Sequence, residues 1–154
     1  MTEATVKRPR LLPPHYFALA VISMWVLHRL IPGPRLIRNH WNWFGLVPII
    51  LGGVLSAYSA DLFDRVETGV IPFSDATTLV VRGPFRFSRN PMYLGMLIAL
   101  VGISVLMATS SQWVVLPLFF GILDRLFVAR EEVFLTERFG EPYGEYQRRV
   151  RRWL

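Results

Sequence analysis

The chain has no cysteine, which excludes a disulfide framework, thiolate zinc or iron–sulfur sites and a cysteine nucleophile. Charge is scarce as well: 18% of the 154 residues are charged, where an ordinary soluble domain has about 25%. Acidic residues are the scarcer sign, 11 against 17 Lys+Arg, for a net charge of +6. No Gly-x-Gly-x-x-Gly, P-loop or Gly-x-Ser-x-Gly motif occurs, which removes the usual nucleotide folds and the hydrolase elbow. His15, His28 and His40 are isolated in sequence, so no metal site is expected. No solenoid-period repeat is present. What abounds is apolar: 53% of residues, with a mean hydropathy of +0.38, which excludes intrinsic disorder.

The apolar residues fall in uncharged runs at Leu11–Leu27, Trp41–Ala60 and Asn90–Leu123. The first two are 17 and 20 residues long, and a helix needs about 20 to cross hydrocarbon. The third, as one helix, would extend about 51 Å, too long for a core about 30 Å thick. Its polar break Ala108-Thr109-Ser110-Ser111-Gln112 divides it into a helical hairpin. The expectation is an all-α integral membrane bundle of four transmembrane helices, at about 15–32, 43–62, 91–108 and 112–130. A basic tail at 1–14 precedes this single domain of residues 15–154, and a C-terminal helical extension lies at about 125–140. A soluble bundle is the alternative, but its helices would normally carry a charged outer face.

Four spans put both termini on one side, together with the loop at 61–90 and fourteen of the basic residues. Arg29, Arg35 and Arg38 remain on the other side. The positive-inside rule then makes both termini cytoplasmic in a multi-pass protein, so the arginines need no nucleic acid to explain them. The N-terminus has the basic stretch and apolar core of a secretory signal but no small-residue cleavage site, and reads as an uncleaved anchor. The C-terminal run Arg148-Arg149-Val150-Arg151-Arg152 is expected to rest on anionic lipid. Gly52, Ser56 and Ala60, and likewise Gly95 and Ala99, recur at four-residue spacing and suit close helix packing in lipid. Pro48 and Pro117 are expected to kink their helices.

Two polar concentrations lie beside the membrane. One is Arg82-Gly83-Pro84-Phe85-Arg86-Phe87-Ser88-Arg89-Asn90-Pro91-Met92-Tyr93; the other comprises Asp124, Arg125, Arg130, Glu131 and Glu132. Ionisable groups at such depth are costly, so they pair or mark a site. The short hairpin brings both clusters to one membrane surface. From spacing alone, Arg86, Arg89, Glu131 and Glu132 form either interfacial ion pairs or a pocket, and spacing names no reaction.

The stretch Leu79 to Gly95, with its Arg89-Asn90-Pro91-Met92-Tyr93 core, resembles the signature of the isoprenylcysteine carboxyl methyltransferase and phospholipid methyltransferase family. Glu131-Glu132 followed by Leu135, Phe139-Gly140, Tyr143 and Tyr146 resembles its second signature. The resemblance covers about residues 68–153. It implies a membrane methyltransferase that uses S-adenosyl-L-methionine and acts on a lipid-like or small apolar acceptor among membrane lipids. By the resemblance, Thr77, Thr78, Leu79, Val80, Phe85, Asn90, Pro91, Met92 and Tyr93 contact the cofactor, and Glu131 and Glu132 complete the site. The catalytic candidates are Glu131 and Arg130.

Two positions depart from the family pattern. Asn90 stands where the commoner motif has histidine; it can hydrogen-bond but not titrate near neutral pH. Phe127 stands where isoprenylcysteine enzymes have an arginine associated with the acceptor carboxylate, leaving Arg125 or Arg130 as substitutes. A sterol-reductase-like enzyme using NADPH and a non-catalytic membrane scaffold are the alternatives.

Overall fold

The computed structural model describes residues 11–38, 40–65 and 77–154. The expected basic tail, up to residue 10, and the 66–76 part of the long loop lie outside the described residues. Helix α1 spans Pro13–Leu30, opening on prolines that lose nothing where no intrahelical acceptor exists. A 3₁₀ turn at Trp41–Gly45 leads into α2, Leu46–Asp64. A second, at Gly83–Arg86, precedes α3, Pro91–Met107. A continuous helix of 29 residues, Ser111–Phe139, follows. It contains α4 (Val115–Ile122), a π-helical stretch at Leu123–Val128 and α5 (Ala129–Phe139). A last helix, α6, Glu141–Arg149, is absent from the sequence expectation, which ended the helix at Gly140 and Pro142. Gly140 turns at φ +58 and α6 starts immediately after it. Among the described residues there is no strand, only an isolated bridge between Arg35 and Thr109.

The described structure is all-helical. Two helices, Trp41–Asp64 and Ser111–Phe139, are long and apolar enough to cross a membrane, and α3 is a shorter apolar helix of the 10–17-residue class. A core helix of a soluble protein would be mostly buried, whereas the apolar window of Trp41–Asp64 is 11% buried. Val47, Ile50, Leu51 and Val54 are exposed on α2, and Leu19, Ile22 and Val26 on α1. Contiguous apolar surface of this kind is what lipid covers. Pro48 and Pro117, expected to kink their helices, are each third in an α-helix that follows a 3₁₀ turn, and each lacks the N–H that would extend the helical ladder.

Helix α3 is central, with α2 along one side and α1 and α4 along the other. The α2–α3 seam is built from small residues, because helices in lipid gain by close van der Waals approach rather than by the hydrophobic effect. A Cβ at Gly52 would run into the Gly95 carbonyl, and Gly45 and Gly102 press on each other's backbones in the same way. Ser56 Oγ crosses the seam to donate to the Met92 carbonyl at 2.8 Å. On the other side Met24, Tyr93, Leu100, Phe119, Leu123 and Phe127 form the core.

The hairpin expected at Ala108–Gln112 is present. Ala108 caps α3 in the left-handed region, at φ +62. The buried Gln112 then donates through Nε2 to the Ser104 carbonyl at 3.2 Å and the Thr109 carbonyl at 2.6 Å, tying the turn to the last turn of α3. This turn folds Ser111–Phe139 back along α3 and returns α5 to the level of Pro91.

Candidate functional site

The N-terminal end of α3 and the junction of α4 with α5 meet. The Tyr93 hydroxyl donates to Glu131 Oε1 at 2.7 Å, and Arg89 Nη1 lies 2.8 Å from Glu132 Oε1. Tyr93 is buried, its ring 6.3 Å from that of Phe127, which in turn meets Tyr16 edge-on at 5.5 Å. Arg89 is largely buried, and its Nε and Nη1 have no hydrogen bond. The Nη1–Glu132 contact is thus an ion pair by proximity, without the alignment of a hydrogen bond.

A third element completes the cluster: the chain after α6. Arg152 reaches Glu132 through Nε at 3.0 Å and through Nη2, and its Nη1 approaches Asp124 at 3.4 Å. Trp153 Nε1 donates to the same Asp124 oxygen at 3.0 Å. The Arg152 carbonyl accepts from Asn90 Nδ2 at 2.9 Å, and the Arg151 carbonyl accepts from Arg89 N at 3.0 Å. In an uninterrupted α-helix, residues eight apart are offset by about 80°. The wider turn at Leu123–Val128 takes up much of that offset, so Asp124 and Glu132 both face Arg152. The C-terminal arginines therefore do not simply rest on lipid. Arg148 pairs with Glu141, Arg149 with Glu145, and Arg152 with Glu132 and Asp124.

Below this lies a second cluster, Tyr143, Tyr146 and Val150, packed with Leu79, Leu135 and Phe139. Tyr146 donates to the Phe85 carbonyl at 2.7 Å, fixing the turn that precedes α3, and Phe85 meets Phe63 of α2 edge-on at 5.2 Å. Burial pushes the Tyr146 phenol well above the usual tyrosine range, with a further rise from neighbouring Tyr143. Tyr143 is also raised, by burial and then by Glu132, against the opposing charge of Arg89.

Of the residues expected from sequence, Asn90, Tyr93, Glu131 and Glu132 come together. Pro91 is buried in the first turn of α3, and Met92 is tied to α2 through Ser56. Phe85 and Leu79 lie with the tyrosine cluster and Val80 is buried, whereas Thr77 and Thr78 are exposed. Arg130 and Arg125 are exposed, and Phe127 is wholly buried. The sequence reasoning overlooked Ser88, Arg152 and Trp153. Charge runs do not name their partners, and the only signal was the proximity of arginines to the end of the second motif.

Exposed apolar helix faces and a carboxylate–arginine–tyrosine junction at one helix end define a helical bundle of membrane character with a polar site. Residues 41–142 match the family model described as Phospholipid methyltransferase, and the chain belongs to that family. It is 33% identical over 121 residues, 74% of this chain, to a probable protein-S-isoprenylcysteine O-methyltransferase of Oryza sativa subsp. indica, and spans 62% of that relative's length. It is 32% identical over 149 residues to protein-S-isoprenylcysteine O-methyltransferase A of Arabidopsis thaliana, covering 91% of this chain and 73% of that one. A cobalt-zinc-cadmium resistance protein of Cupriavidus metallidurans is 32% identical over 131 residues, 84% of this chain and 58% of that protein.

Proposed function

We propose that the chain is a membrane-embedded methyltransferase that uses S-adenosyl-L-methionine and acts on a lipid-like or small apolar acceptor. One observation carries this reading. Three carboxylates, Asp124, Glu131 and Glu132, share the junction with two guanidiniums, and of these three Glu131 is the one that pairs with no arginine. Its partner is the neutral Tyr93 phenol, so the junction is short of one positive charge. The donor set fits the group: Glu131 complements a cation, the rings of Tyr93 and Phe85 suit a sulfonium or adenine, and Arg89 Nε, buried without a hydrogen bond, suits a carboxylate.

When bound, S-adenosylmethionine supplies an electrophilic methyl on a positively charged sulfur. Within this reading, Tyr93 holds the Glu131 carboxylate in one rotamer, and Arg152 and Arg89 hold Glu132. Asn90 fastens the C-terminal segment over the start of α3, limiting water. Methyl transfer needs alignment and dryness more than acid–base work, so these positioning contacts are the main contribution of the protein. Thr77 to Val80, Pro91 and Met92 form the remaining wall, and Arg130 stands beside Glu131 as a surface cation for the acceptor. The arginine of the family pattern is replaced by the buried Phe127, which favours an acceptor without a carboxylate. The domain comprises residues 15–154. It crosses the membrane four times, with α1 and α3 joining the two longer helices, and both termini are cytoplasmic by the distribution of arginine.

Calorimetric titration of the purified protein with S-adenosylhomocysteine and with NADPH tests the proposal. Binding of the first, weakened about tenfold or more by Glu131→Gln, is expected; binding of NADPH alone would replace the reading with a reductase.

A further inference from the structure

At the other end of α3, about 21 Å from the Tyr93 junction at 1.5 Å per residue, lies a cavity of about 550 Å³. Trp25, His28, Arg29 and Arg35 line it from the α1 side, with Leu106 and Thr109 opposite. The Arg29 guanidinium sits 5.1 Å from the centre of the Trp25 ring, a contact that leaves its charge unneutralised. Neither residues 4–60 nor 76–123, which build this end, contain an aspartate or glutamate. Arg29 therefore faces a region without acidic counter-charge from those segments, and Arg35 stands with it on the cavity wall.

The polar lining is also oriented. Gln112 Nε2 is committed to two carbonyls, which makes its Oε1 the acceptor for the Thr109 hydroxyl at 2.8 Å. Thr109 Oγ1, having given its proton away, accepts from His28 Nδ1 at 3.0 Å. The His28 ring is thereby fixed at the cavity wall. The exposed apolar residues Ile22 and Val26 continue from Trp25 along α1, where an acyl chain would lie.

We propose that this cavity binds a phosphate-type oxyanion, with Arg29 and Arg35 as its cationic ligands. A cavity of this volume is within the range of small-molecule sites, about 300–1,000 Å³, and has room for more than a bare phosphate. The site stands independently of the methyltransferase reading.

The test uses the full chain in a nonionic detergent, titrated with short-chain phosphatidylglycerol, short-chain phosphatidylcholine and inorganic phosphate, with retained ligand read by native mass spectrometry. Retention of phosphatidylglycerol over phosphatidylcholine, reduced at least tenfold by Arg29→Gln with Arg35→Gln, supports the site with a lipid headgroup as the source. Inorganic phosphate that binds and displaces phosphatidylglycerol supports the same site with a soluble source. A charge-preserving Arg29→Lys with Arg35→Lys variant keeps most of the binding and controls for folding. Equal retention of the two lipids by the parent chain, or retention unchanged in the glutamine variant, overturns the proposal.

Discussion

Glu132 and Arg152 stand 20 residues apart in sequence and close on each other at two points, Nε to Oε1 at 3.0 Å and Nη2 to Oε2. This pair, with the Asn90 bond to the Arg152 carbonyl, ties the end of the chain to the start of α3 and to α5.

Arg152→Gln leaves a largely buried Glu132 with Arg89 alone. The Arg152 side chain is 40% exposed, so the loss is about 1–2 kcal/mol, below that for a fully desolvated pair. A double-mutant cycle with Glu132→Gln checks it: the two changes are expected to be strongly non-additive, and simple additivity would mean the pair is not coupled.

Tyr93→Phe retains the ring and removes the bond to Glu131. Packing is preserved, so detergent stability falls by no more than about 1–2 kcal/mol, while S-adenosylhomocysteine affinity drops several-fold. Binding that survives both Tyr93→Phe and Glu131→Gln would place the cofactor elsewhere.

Adjacent glycines in α2 give opposite outcomes. A Cβ at Gly52 strikes α3 backbone, whereas one at Gly53 meets nothing within 4 Å. Gly52→Ala is expected to destabilise by about 1–3 kcal/mol. Gly53→Ala is expected to be neutral or to stabilise by about 0.5–1 kcal/mol through helix propensity. Thermal unfolding in detergent separates the two, and equal effects would contradict the seam.

The Tyr146 phenol is raised by burial. A raised folded value means its contribution is fully present below the unfolded phenol value of about 10 and is lost as pH rises through the higher folded value. Ultraviolet titration of the parent against Tyr146→Phe should show the missing component ionising well above the ordinary phenol value. A component at the ordinary value would contradict the buried bond to Phe85.

Helix positions were legible because uncharged runs of about 20 residues have few other uses, and the hairpin because Thr109 to Gln112 breaks one such run. The meeting of Tyr93 with Glu131 follows from that hairpin, which a local pattern can show. The π-helical stretch at Leu123–Val128 has no signature in apolar periodicity, so the shared face of Asp124 and Glu132 was hidden. Arg152 and Trp153 were hidden for another reason: their partners lie on the π-helical stretch and α5, and an arginine-rich run reads the same beside lipid or carboxylate. Glu145 and Arg149, four residues apart on the unexpected α6, pair as helix geometry requires.

The central claim is methyl transfer at the Tyr93–Glu131 junction. Membranes containing the protein, incubated with methyl-labelled S-adenosylmethionine and extracted into organic solvent, test it most directly. The account predicts label in an apolar product, lost with Glu131→Gln; no label above membranes lacking the protein, or equal label from the variant, would contradict it.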